Sequence, residues 1–97
     1  MTGTNEVYED LCVIPKGTKA YTQQKVVMYN DMILADLSKH YITGEISYRR
    51  FKKLAHKHST ESAAAWEVLR EFSGADSLSY VRIHREMGKV ILQVKKS

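Results

Sequence analysis

FKKLAHKHSTESAAAWEVLREF, residues 51–72, is basic in its first half and acidic in its second, and the pair Ser59–Thr60 divides the two. Serine and threonine are favoured at helix N-caps because their hydroxyls accept from the free amides of the first turn. The pair therefore predicts a break. One helix runs over Tyr48 to His58 with Ser47 as its N-cap, and another starts at Ser59–Thr60 and closes at Ser73–Gly74. Glu61 falls in the positive first turn of the later helix. The run AAAWEVLREF is rich in residues of good helix propensity. On the earlier helix Tyr48, Phe51, Leu54 and Ala55 are the apolar positions, and Arg49, Arg50, Lys52, Lys53, His56 and Lys57 fill the opposite face.

Upstream, Val26, Tyr29, Ile33, Leu37 and Tyr41 recur at spacings of three and four and predict a helix from Thr22, its N-cap, to Tyr41. Met28 and Met32 widen its apolar surface, which suits a central helix or a dimer contact. Gly44 can take the left-handed conformation that ends it. Before it, VYEDLCVIP alternates loosely, with Val7, Glu9, Leu11 and Val13 on one side, and reads as a short strand or arm stopped by Pro15. KGTK is a turn. Downstream, SYVRIHR and VILQVKK read as two strands joined by a turn at Gly88. Ser79, Val81 and Ile83 share one face of the first, and Val90, Leu92 and Val94 share a face of the second. Such a hairpin needs helices over its apolar face.

The 97 residues suit a single domain, 1–97, in which 1–21 form the N-terminal arm or strand. Hydrophobic content of 43% and charged content of 27% exclude wholesale disorder. The net charge of +4 permits an anionic partner without requiring one. A lone cysteine, Cys12, cannot form an internal disulfide and fits a reducing compartment. MTGTNEVYED lacks the basic start and apolar run of a signal peptide, and no apolar stretch is long enough for a membrane span. A cytoplasmic location and no membrane partner are expected.

The order of elements is arm, long helix, helix, turn, helix, hairpin. Over residues 22–96 this resembles the winged helix-turn-helix superfamily, in which the hairpin is the wing. That superfamily has a small residue in the first helix of the motif, a turn residue four places on, and apolar residues six and nine places after the turn. Ala55, Ser59, Ala65 and Val68 occupy those places here. The turn position holds Ser59 where glycine is usual, and the usually apolar place before it holds His58. The resemblance implies an α+β fold, a three-helix winged helix-turn-helix with a C-terminal wing, and DNA binding by a small transcriptional regulator.

In that register the later helix presents Glu61, Ser62, Ala63, Trp66, Glu67 and Arg70 outward. Only Arg70 there suits a bidentate contact to guanine, with Ser62 as a lesser base contact. The cations lie on the preceding helix: no acidic residue occurs from Ile46 to Thr60, and Arg49, Arg50, Lys52, Lys53 and Lys57 all fall in that span. Such residues meet phosphates, which supply affinity without sequence information. Arg82, Arg85 and Lys89 on the hairpin, with Lys95 and Lys96 after it, are candidate wing contacts. Glu61, Trp66 and Glu67 define an alternative, in which an exposed indole anchors a protein partner and the chain is an adaptor or inhibitory factor. Trp66 could instead pack in the core, which rotates the register. A third reading is RNA or ribosome binding by the basic helix, and a homodimer could form through helix 22–41. No nucleophile, base and stabiliser converge in the sequence, and it carries no Walker loop, GxGxxG or HExxH, so neither an enzyme, a cofactor nor a metal is expected.

Overall fold

A computed structural model describes residues 7–76 and 80–96. The chain is α+β: β1 (Tyr8–Val13), α1 (Lys19–Ile42), α2 (Tyr48–Ser73), β2 (Val81–Glu86) and β3 (Lys89–Lys95). The three strands form one antiparallel sheet in the order β1-β3-β2. The expected arm is thus an edge strand, and the last strand of the chain lies in the middle. A bulge between Asp10 and Cys12 shifts the β1–β3 register. Cys12 and Ile14 turn inward, whereas Leu11 and Val13, expected on an apolar side, are exposed. Ser79, expected on the first hairpin strand, lies outside the described residues.

Local chemistry accounts for the element ends. The Thr18 hydroxyl accepts from the Tyr21 amide at 3.2 Å, so α1 starts one turn before the Thr22 expected as its cap. The Ser47 hydroxyl accepts from the Arg50 amide at 3.2 Å and starts α2. Gly74 is left-handed at φ 69° and closes it. Met87 and Gly88 both have positive φ, 50° and 78°, the requirement of a tight two-residue hairpin turn.

The break expected at Ser59–Thr60 is absent. α2 is one helix of 26 residues, and two helices rather than three are found among the described residues. Both hydroxyls bond back to the His56 carbonyl, Ser59 at 3.1 Å and Thr60 at 2.8 Å, so they face a preceding carbonyl instead of capping a new first turn. No glycine or proline lies between Ser47 and Gly74 to interrupt the ladder.

The core sits at one end of the helix pair. Ala20 and Val27 of α1 and Ala65 and Leu69 of α2 close over Val81, Val90 and Leu92 from the sheet and Ile14 just after β1. Nothing from residue 31 to residue 61 is buried. α1 is about 36 Å long and α2 about 39 Å at 1.5 Å per residue. Their distal halves therefore project past the sheet as an antiparallel arm, in which Ile33, Leu34 and Leu37 are half-buried with Phe51, Leu54 and Ala55. Tyr41 stacks on Phe51 near the tip at 4.7 Å and 16°. Where arm meets core the helices exchange polar contacts. His58 Nδ1 and Asn30 Oδ1 are 2.8 Å apart, and the Ser62 hydroxyl donates to Asp31 Oδ1 at 3.4 Å.

Candidate nucleic-acid interface

The inward row of α2 runs unbroken through Phe51, Ala55, His58, Ser62, Ala65 and Leu69, at steps of three and four. On the opposite side lie Arg49, Lys53, His56 and Lys57, with Arg50 and Lys52 on its two flanks. All are exposed. Arg49, Lys53 and Lys57 stand at four-residue steps and form one line along the helix. None of the five lysines and arginines is held in an ion pair or hydrogen-bonded to another side chain of the described residues, and no carboxylate occurs in the sequence between Glu45 and Glu61. Five cations thus share one face of a projecting helix, with their side chains uncommitted.

The other expected contacts differ in kind. Arg82 is engaged across the outer face of the sheet. Its Nε donates to Gln93 Oε1 at 2.9 Å, Gln93 Nε2 donates to Asp10 Oδ1 at 2.8 Å, and the guanidinium lies 3.5 Å from the Tyr8 ring centroid. Arg85 donates from Nη2 to the buried Gln24 Oε1. Lys96 pairs with Glu9 at 3.6 Å. Arg70 donates to the Asp76 carbonyl at 3.4 Å. Lys89 is exposed beside the hairpin turn.

Two positions read as outward turn in. Ser62 is buried, because in a continuous helix it follows His58 by four residues on the inner row. Trp66 is half-buried and packs against the core cluster, in a groove lined by Asp31, Ala63, Glu67, Arg70, Tyr80 and Val81. Glu61 and Glu67 are exposed. On α1 the buried row is Ala20, Gln24, Val27 and Asn30. Val26, Ile33 and Leu37, expected inside, are only half-buried. The inner row is already covered by α2 and the sheet, and Tyr29 and Met32 remain exposed on the outer side at 63% and 65%.

Sequence reasoning missed the aromatic group at the arm tip. Tyr48 was visible as an apolar position, but its 59% exposure beside the cations follows only from its place at the free end of the arm. A shallow depression of about 490 Å³ lies there, lined by Tyr48, Arg49, Lys52, Lys53 and His56.

Hydrogen bonds from His40, 2.9 Å away, and from Thr43 hold the Glu45 carboxyl below its ordinary range. Burial pushes the Cys12 thiol up, which disfavours the reactive thiolate. Among the described residues no group of three or more His, Cys, Asp and Glu side chains could hold a metal ion, and no helix is long and apolar enough to cross a membrane. No protein-family model, curated protein sequence or solved structure matches the chain.

Proposed function

We propose that the protein binds nucleic acid through phosphate contacts made by the outward face of α2 from Arg49 to Lys57. The observation that carries this reading is the set of five uncommitted cations on one face of a projecting helix, with no acidic residue from Ile46 to Thr60. A solvated surface helix usually interleaves both signs of charge. Here one sign stands alone, and the line Arg49–Lys53–Lys57 matches a polyanion laid along the helix. Release of condensed counterions then supplies the affinity, independent of sequence.

A helix-turn-helix sets a recognition helix at an angle to a positioning helix. The uninterrupted α2 offers no such angle, so geometry supports backbone contact more than a sequence-specific regulator. Arg82 and Arg85 are tied to internal partners, so hairpin support for binding rests on Lys89. The rival reading, a protein adaptor docking through Trp66, needs a projecting indole, and this one packs against the core. Binding to RNA draws on the same face of α2.

The test is a salt titration. Replacing Arg50, Lys53 and Lys57 by glutamine should weaken binding to all sequences alike. It should also reduce the slope of log affinity against log salt by roughly 2 for a single strand or 3 for a duplex. Unchanged affinity and slope would sink the proposal.

A further inference from the structure

We infer that the arm takes single-stranded nucleic acid, with an unpaired base stacked on Tyr48. The inference rests on the phosphate-binding reading of α2 and adds the class of strand to it. Tyr48 is the first residue of α2 and is 59% exposed. Its ring is backed by Tyr41, with centroids 5.8 Å apart and planes inclined by 50°, and Tyr41 is itself stacked on Phe51. The tyrosine therefore has a firm seat, and loses little freedom when something stacks on it. It also borders the depression shared with Arg49, Lys52, Lys53 and His56.

Two parallel rows meet at this place. Tyr48, Lys52 and His56 stand at four-residue steps, and so do Arg49, Lys53 and Lys57 in the row beside them. Successive members of a row are about 6 Å apart along the axis. A strand running along α2 meets a cation at each step and reaches an aromatic face at the tip. Phosphate cations beside a stacking ring are the working parts of single-strand binders, which tolerate any sequence because every base has a π-face. In a duplex those faces are already stacked, and the ring would have no partner. Tyr29 offers a comparison: it is 63% exposed, yet it belongs to α1 and not to the helix that carries the cation rows.

Fluorescence anisotropy with labelled oligothymidylate, oligouridylate and a duplex of equal length tests this on the full chain. Both single strands should bind more tightly than the duplex. Tyr48→Ala should lose about tenfold on the single strands and less than about twofold on the duplex. Tyr48→Phe keeps the ring and should bind as the parent does, and Tyr29→Ala should change nothing. Circular dichroism of each variant confirms that the helices are intact. Duplex binding as tight as single-strand binding, or equal losses on both for Tyr48→Ala, would overturn the inference. If the Arg50, Lys53 and Lys57 variant loses affinity while Tyr48→Ala does not, phosphate binding stands and stacking falls. If neither variant loses affinity, both readings fall. Binding to anionic phospholipid vesicles but to no oligonucleotide would also overturn both.

Discussion

Replacing Ser59 and Thr60 together by alanine should stabilise the protein. In a continuous α2 both are exposed interior positions whose hydroxyls merely bond back to the His56 carbonyl. Alanine has the best helix propensity, and serine and threonine lie about 0.5 kcal/mol or slightly more below it at such sites. The back-bonds contribute little and tend to bend helices. Two substitutions therefore sum to about 1 kcal/mol of added stability, a rise of about 4–8 °C in Tm for a domain of this size. If a break lay at Ser59–Thr60, the same change would delete an N-cap and lower stability by about 1 kcal/mol. The two structures thus predict opposite signs. Thermal and urea melts followed by circular dichroism, with the single variants alongside, read the sign directly. A lowered midpoint would refute the single helix, and with it the straight face that aligns Arg49, Lys53 and Lys57.

Other consequences follow from where burial falls. Leu69→Ala, at a fully buried position, should cost about 2–5 kcal/mol in a urea melt, whereas Leu37→Ala, half-buried on the arm, should cost about half as much or less; equal losses would contradict a core confined to one end of the helices. Trp66→Ala should cost about 2 kcal/mol rather than leave the fold untouched, since the indole packs against the core cluster; an unchanged midpoint would mean that it does not. Glu45 should titrate below an ordinary glutamate in a carbon-detected NMR titration, and His40→Ala should bring it back up. Because its folded pKa is depressed, the stabilisation that it gives the helix connection is present above the ordinary carboxylate range and fades as pH falls through the depressed value; a midpoint that ignores His40→Ala would contradict the contact.

What could be read from sequence was local. Gly44 and Gly74 marked helix ends and Gly88 marked the hairpin turn, because a left-handed φ is written into glycine. The alternation of Val81 with Ile83 and of Val90 with Leu92 gave the sheet faces. The break at Ser59–Thr60 was misread because the same hydroxyls serve an N-cap or a back-bond, and only the continuing ladder decides between them. The misreading carried Ser62 outward, whereas the unbroken step of four from His58 takes it in. Non-local facts were out of reach. Nothing near Tyr8–Val13 says that it pairs with Lys89–Lys95, or that β3 lies between β1 and β2. The engagement of Arg82 by Gln93 and Tyr8, and of Arg85 by Gln24, depends on that pairing and on where α1 crosses the sheet. The basic run on α2 was legible because it is contiguous; its freedom from partners was not, since that depends on the arm leaving the sheet.

The central claim is that the chain engages nucleic acid with the outward face of the arm. Two-dimensional amide NMR of the labelled protein during a titration with oligothymidylate at low salt tests it most directly. The predicted result is a contiguous set of shifts over residues 48–57, fading as salt is raised, with Trp66 and the strands unmoved. Shifts confined to β2, β3 and the Trp66 groove, or no shift at any oligonucleotide concentration, would contradict it.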